Sequence, residues 1–402
     1  MTPTISFANV LAAIFWICLA VTVYAYAGYA LLLWALSRLA GTRREPAEQG
    51  DADLPVVSLL IAAYNEEAVI EARVRNALAM DYPGDRLEIV IASDGSSDAT
   101  ADIVRRFERQ GVRLLDYREN RGKATVLNCT IPELRGSIIL LSDANTRMDP
   151  QGLRKLVRWF QDPAVGMVSG KLVLVDAATG RNADGLYWKY ETKLKQWEGR
   201  LGALLGANGA IYAVRRELYE PLPPTTIDDF IIPLRARLRS DCRLVFDPEA
   251  QAFEETAPDA AAEFRRRARF GASGFEAIGL LWPLLNPCRG WICVTFLSHK
   301  ILRWTCPFFV LGMLAASALL VRSPLYRGLL LLQCAFYLFS VFVICMPSTV
   351  RVWRPLRLTG LFTLMNAALL VGFFRWVRGS QGGTWKSTAR TLNGKETGAS
   401  YV

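Results

Sequence analysis

Ser137-Ile138-Ile139-Leu140-Leu141-Ser142-Asp143-Ala144-Asn145-Thr146 is an apolar run of strand length that ends in a carboxylate and a carboxamide two positions apart. A short apolar run bounded by polar punctuation reads as a buried strand. In a parallel sheet the ligand crevice lies outside the carboxyl ends of the strands. Asp143 and Asn145, separated by one small residue, can both offer oxygen to a single hard cation. The same spacing also suits a turn or a helix cap, because Asp and Asn commonly begin both.

Upstream, short apolar runs alternate with helical patterns, the signature of a layered α/β fold. Strands are expected over 56–62, 87–92 and 112–115, with helices over 66–80, 98–110 and 122–134 between them. Each junction is polar: Ala63-Tyr64-Asn65-Glu66-Glu67, Ser93-Asp94-Gly95-Ser96-Ser97-Asp98, and Glu119-Asn120-Arg121-Gly122-Lys123. Taken alone, Asp94 and its neighbours suit a helix start. Taken together, the strand ends present Tyr64, Glu66 and Asp94 as hydrogen-bonding groups, Lys123 as a cation, and Asp143 with Asn145 as a metal pair. That set suits a base, a ribose and a diphosphate. Neither a Gly-x-Gly-x-x-Gly fingerprint after the first strand nor a phosphate-cradling Gly-x4-Gly-Lys-Ser/Thr loop is present to explain it otherwise.

The distribution of apolar residues points to a membrane. Residues 1–37 carry no charged side chain, and 7–36 exceeds the roughly 20 apolar residues that cross a bilayer. It lacks the positive start of a signal peptide and its apolar stretch is too long for one. Three further spans are expected at 305–321, 329–346 and 358–377. The domains expected are an N-terminal transmembrane helix (1–37), a soluble domain (38–258), an amphipathic interfacial segment (259–303), three transmembrane helices (304–378) and a tail (379–402). Arg38, Arg43 and Arg44 after the first span, and Arg351, Arg354 and Arg357 between the last two, place the soluble domain in the cytoplasm by the positive-inside rule. Three spans after that domain put the tail outside. Its Arg375, Arg378, Lys386, Arg390 and Lys395 put it inside.

The net charge of +10, from 47 basic and 37 acidic residues, goes with a membrane surface rather than nucleic acid. No zinc-finger, helix-turn-helix or single-strand-binding pattern accompanies it, and the densest basic cluster, Arg265-Arg266-Arg267 with Arg269, is flanked by Phe264, Phe270 and Phe275. The eight cysteines include no Cys-x-x-Cys pair, so neither a disulfide framework nor a zinc site is indicated. The one histidine, His299, sits beside Lys300 and Arg303 at a membrane edge, where an interfacial role is expected.

The ordered motifs Ala-Tyr-Asn-Glu-Glu, Ser-Asp-Gly-Ser-Ser-Asp, Asn-Arg-Gly-Lys and Ser-Asp-Ala-Asn-Thr resemble those of the family 2 glycosyltransferases, membrane polysaccharide synthases among them. The resemblance implies a GT-A fold, an α/β domain with a Rossmann-like mixed sheet, here combined with transmembrane α-helices. It implies a nucleotide site at Ala63, Tyr64, Glu66, Asp94, Lys123 and Asp143, with Glu66 and Asp94 on uracil and ribose. Asp143 and Asn145 would carry Mg2+ or Mn2+ on the diphosphate; many relatives have aspartate at the second of these positions.

Downstream, Thr225-Thr226-Ile227-Asp228-Asp229-Phe230 occupies the place of the family's catalytic acidic pair. The resemblance assigns the general base to Asp229 and a supporting position to Asp228, while the residues alone favour a cap of the helix over 230–239. A carboxylate within reach of an acceptor hydroxyl can take its proton, more effectively when a like-charged neighbour raises its pKa. Processive relatives carry Gln-x-x-Arg-Trp where this chain reads Arg266-Arg267-Ala268-Arg269-Phe270, so Arg266 and Arg269 are candidates for diphosphate or acceptor contact. Trp385, within Gly382-Gly383-Thr384-Trp385-Lys386, resembles a tail segment that lies near the nucleotide in some membrane synthases. A solvated end is the plain alternative.

The activity implied is inverting transfer from a UDP-sugar, of glucose or N-acetylglucosamine type, to a growing β-linked polysaccharide, or non-processive transfer to a polyprenyl phosphate or glycolipid, at the cytoplasmic face of a bacterial inner membrane. A nucleotide-sensing transporter or receptor is the rival from another class. It predicts ionisable residues along a path inside the spans, which are nearly free of them. A tethered nucleotidyltransferase would not need Asp228-Asp229 followed by an arginine cluster.

Overall fold

The computed structural model describes residues 6–41, 45–176, 182, 185–255, 260–346 and 353–384. Arg43, Arg44, Arg351 and the tail from Trp385 onward lie outside the described residues. The chain opens with helix α1 (Phe7–Leu39), which is continuous through a π-turn at Tyr24–Gly28. The domain that follows is built as β1 (Val57–Ala63), α2 (Ile70–Leu78), β2 (Leu87–Asp94), α3 (Thr100–Arg105), β3 (Val112–Tyr117), α4 (Lys123–Thr130) and β4 (Ile138–Asp143). It continues through β5 (Arg147–Met148), α5 (Gly152–Val157), β6 (Val165–Val175), α6 (Leu186–Arg200), β7 (Tyr212–Arg215), α7 (Asp228–Ser240) and β8 (Arg243–Glu255).

One eight-stranded sheet runs in the order β3-β2-β1-β4-β7-β6-β8-β5. The strands β3, β2, β1 and β4 are parallel, while β7 is antiparallel to both β4 and β6. Every residue of β1 is buried and β4 is buried up to Asp143, as a sheet covered by helices on both faces requires. One apolar core lies under α2 and α5, and a second under α4, α7 and the helices beyond the domain. The expected βα alternation holds from 56 to 143. The antiparallel half, including the long β6 and β8, adds strands that periodicity did not single out.

Beyond the domain come α8 (Ala260–Leu280), two short 3-10 turns, α9 (Trp291–Leu319), α10 (Pro324–Cys345) and α11 (Arg354–Val377). Among the described residues, four helices are long and apolar enough to cross a membrane: α1, α9, α10 and the Leu356–Val377 stretch of α11. The expected boundary at 303/304 falls inside α9. His299, Lys300 and Arg303 interrupt the hydropathy there, yet the helix continues because its charges are met by α6. His299 Nδ1 lies 2.5 Å from Glu198 and its Nε2 lies 3.2 Å from Glu191, and Arg303 donates to Glu191 at 2.5 Å in turn. His299 is therefore a buried junction residue rather than a surface one.

Helix α11 lies along α8 instead of passing straight through the bundle. Near its start, Gly360 packs on Ser340, Val343 and Ile344 at the end of α10, and Leu364 faces Phe264 of α8. Farther on, Leu369 and Gly372 pack on Ala268 and Gly271, and Phe373 and Trp376 on Phe275. Small residues let the two backbones approach closely. Past its end, Gln381 donates to Ser273 at 2.7 Å, and Gly383 lies against Gly122 and Pro224 of the domain. The end of α11 thus returns to the domain through residues 381–383, while the length and apolar content of Leu356–Val377 still fit a span.

Candidate active site

The loops after β1 and β2 are laced to each other. Asn65 takes a left-handed conformation (φ 52°), its backbone N–H donates to Ser96, and its side-chain oxygen accepts from the Ser97 N–H at 2.8 Å. The Glu66 N–H donates to Thr100 at 2.8 Å, and Glu67 and Asp98 cap each other's loops. Tyr64 and Glu66 are half-buried at this rim and Ala63 is buried beneath it.

Asp94 is fully buried, and its two oxygens accept the Arg121 and Gly122 N–H groups at 2.9 and 2.7 Å. Its first duty in this geometry is to brace the loop that carries Lys123. Gly95, at φ +67°, makes that possible. A Cβ there would stand 2.5 Å from the Glu119 carbonyl carbon.

Lys123, at the start of α4, joins the two acidic positions. Its ammonium lies 2.8 Å from Asp143 and 3.1 Å from Asp228. Burial disfavours its charge, but the two carboxylates outweigh that and hold the lysine above its usual value. Asp143, at the tip of β4, receives Arg73 from below: the buried guanidinium donates to the Asp143 carbonyl at 3.3 Å. The Asn145 side chain, half-buried two residues on, makes no hydrogen bond among the described residues.

Asp228 and Asp229 form the first turn of α7, whose N-cap, Ile227, has no side-chain cap. The carboxylates instead point into the site. Asp228 is buried and accepts from the Tyr212 hydroxyl at 2.8 Å, and burial beside this carboxylate keeps Tyr212 protonated well above its usual range. Asp229 accepts the Gly209 N–H on Oδ2 at 3.0 Å, while its carbonyl accepts the Ala207 N–H at 2.7 Å. Its other carboxylate oxygen makes no hydrogen bond among the described residues. Burial, and then the Asp228 charge, push the Asp229 pKa up to about 6.

The two halves of the site meet at Gly209. A Cβ there would lie 3.2 Å from Asp229 Oδ2 and 3.5 Å from Asp143 Oδ2, so the two carboxylates converge at Gly209. Arg269 is exposed on α8, near enough to Asp143 and Asp228 for their charges to act on it. Arg266 is tied to Glu263 at 3.0 Å. Trp385 lies outside the described residues.

Three contributors went unnoticed at the level of sequence: Arg73, Tyr212 and Lys195. Each is a polar residue inside an otherwise ordinary helix or strand pattern. Lys195 enters by donating to the Ala207 carbonyl and the Asn208 side-chain oxygen.

Residues 58–221 match the Glycosyl transferase family 2 domain. The chain is 28% identical over 305 residues to a beta-monoglucosyldiacylglycerol synthase of Synechocystis sp., covering 71% of this chain and 61% of that protein. It is 26% identical over 240 residues to the poly-beta-1,6-N-acetyl-D-glucosamine synthase of Staphylococcus aureus, covering 56% of each. The matches thus span less than two thirds of either relative's length. In fold, the chain is similar to the mannosyltransferase PcManGT from Pyrobaculum calidifontis, solved in complex with GDP-Man and Mn2+. The TM-score is 0.69 at 23% identity, over 90% of this chain and 99% of that one. Residues 58–221 thus match the family 2 glycosyltransferase domain, on a GT-A-like fold joined to helices long and apolar enough to cross a membrane.

Proposed function

We propose that the protein transfers a sugar, with inversion, from a UDP-sugar to a hydroxyl group of a membrane-held acceptor. The observation that carries this reading is the convergence of Asp143 and Asp229 on Gly209, with one Asp229 oxygen fixed by a backbone N–H and the other open. A built general base is what a hydroxyl needs to lose its proton as it attacks; a phosphate acceptor is already ionised and needs none. The next residue, Phe230, stacks on Phe296 of α9 and meets Trp304 edge-on, so the base stands at the edge of the apolar helices. This favours a lipid acceptor, and the similarity to a glucosyl-diacylglycerol synthase points the same way. Growth of a β-linked polysaccharide is the second reading, favoured by the similarity to a poly-N-acetylglucosamine synthase.

Among the described residues no three His, Cys, Asp or Glu side chains gather as a metal site. Asp143 and the unengaged Asn145 amide are a partial oxygen set, and that fits Mg2+ or Mn2+, which are commonly held by one or two protein ligands plus substrate phosphates and water. When bound, such an ion would offset the charge growing on the departing diphosphate. On the protein's side, Lys123 and Arg269 supply further positive charge there, and Ala63, Tyr64, Glu66 and the Asp94-braced loop form the rim for base and ribose. Asp228 holds Lys123 and raises the proton affinity of Asp229. Attack by the acceptor on an α-linked donor then yields a β-linkage.

The test uses the purified full-length protein in lipid nanodiscs with diacylglycerol, supplied with individual UDP-sugars and Mn2+. UDP release that chelation abolishes, with a glycolipid product, is expected. A correctly folded preparation that releases UDP from no UDP-sugar would sink the reading. Long glycan in place of glycolipid would favour the second.

A further inference from the structure

Lys195, on α6, is a largely buried cation with no carboxylate within ion-pair distance among the described residues. Its ammonium instead donates to the Ala207 carbonyl at 2.9 Å and to the Asn208 side-chain oxygen. Asn208 is pinned from the opposite side, because its amide donates to the Gly170 carbonyl at 2.5 Å and its backbone N–H to Ser169 at 3.0 Å. The loop clamped in this way supplies both N–H groups that fix Asp229, from Ala207 and from Gly209. Desolvating an ammonium to hold a carbonyl and an amide is costly, and burial drives the Lys195 pKa down to about 8. An apolar side chain would fill the place at less cost if packing were all it did.

Helix α6 is also the part of the domain most tightly docked to the apolar helices. Tyr29 of α1 donates to Glu198 at 2.7 Å, Tyr190 donates to the Tyr26 carbonyl at 2.8 Å, and His299 and Arg303 of α9 meet Glu198 and Glu191. We propose that Lys195 is a positioning residue for the Asp229 carboxylate: it clamps the 206–210 loop and so ties the base to the helices beside which the acceptor is presented. This rests on the reading of Asp229 as the base. Lys195 acts through the loop, and its charge also draws the Asp229 pKa down, but it makes no hydrogen bond to the Asp229 carboxylate.

The experiment is a double-mutant cycle on the full-length protein in nanodiscs, with UDP-sugar turnover, UDP affinity and thermal midpoint measured for each variant. Lys195→Met is expected to lower kcat by about 10²-fold, the size of effect that a misplaced catalytic group produces, with the KM for the donor held within about twofold. Lys195→Arg, which keeps a donor to both oxygens, restores most of the loss. Adding Lys195→Met to Asp229→Asn costs nothing further, because a clamp has no effect once the group it positions is gone. If Lys195→Met does not fold, Lys195→Gln, with a shorter reach, carries the same cycle.

Wild-type kcat in a folded Lys195→Met or Lys195→Gln variant overturns the proposal. So does a loss that multiplies with that of Asp229→Asn, or a fall in kcat/KM that lies in donor KM. If Asp229→Asn itself turns over normally, the base reading falls and this one with it. Multiplying losses beside an Asp229→Asn variant of strongly lowered kcat remove the role of Lys195 alone.

Discussion

Asp229 is the residue whose surroundings say most about chemistry. One oxygen is engaged by the Gly209 N–H, and burial next to Asp228 raises its pKa to about 6. Asp229→Asn keeps the backbone contacts but cannot accept the proton, so kcat should fall by about 10²–10⁴-fold, the usual contribution of a general base, while UDP affinity measured by calorimetry stays near wild type. The pH profile follows from the sign of the shift. A base with a raised pKa is protonated, and idle, below that value. Accordingly kcat/KM should decline by about tenfold per unit once pH drops under about 6, and be flat above it. A profile flat down to pH 4.5 would place the base elsewhere. Asp143, Asp228 and Asp229 were legible as candidates because carboxylates at strand ends and helix starts are few and ordered. What sequence left open was cap or catalyst. The structure shows no side-chain cap, since neither aspartate bonds the free N–H groups of α7 and both turn toward Tyr212, Lys123 and Gly209, and this supports the catalytic reading.

At the scale of elements, the parallel half of the sheet could be read in advance and the antiparallel half could not. β1, β2 and β4 are short apolar runs buried on both faces, each followed by a polar loop. β8 carries Arg243, Asp247, Glu249, Gln251 and Glu254 among its apolar residues, and a proline at its centre, so its pattern matches no single period. The charged turn of α9 misled in the same way: His299, Lys300 and Arg303 mark a helix end in a hydropathy profile, but buried partners from another element let the helix run on. The packing of α11 on α8 was invisible for a related reason, since length and apolar content fit a span and a lateral helix equally. Gly372 is where the two helices come closest. A Cβ there would meet the Ala268 carbonyl oxygen at 2.7 Å and the Ala272 nitrogen at 2.8 Å. Gly372→Leu should therefore destabilise the fold by about 1–3 kcal/mol, the range for overpacking a tight contact, lowering the thermal midpoint in nanodiscs. An unchanged midpoint would mean that α8 and α11 are not in contact.

For the whole molecule, the path of α11 sets the sidedness of the chain. If α1, α9 and α10 cross and α11 lies along α8, residue 384 is on the same side as the domain it touches. A protease-sensitive epitope placed after Val402 should then be cut in inverted membrane vesicles and protected in right-side-out ones, together with the domain. A cut in the opposite vesicles would make α11 a true span. Basic residues near the ends of the apolar helices point to this side and the number of helices to the other, because charge resists translocation whereas apolar length alone does not decide orientation.

The contact between Gly383 and Gly122 also bears on the order in which the protein is made. The loop that presents Lys123 emerges from the ribosome early, and the segment that covers it is among the last described parts of the chain. The loop that carries Lys123 therefore lacks this covering contact until α8 to α11 have been synthesised and packed.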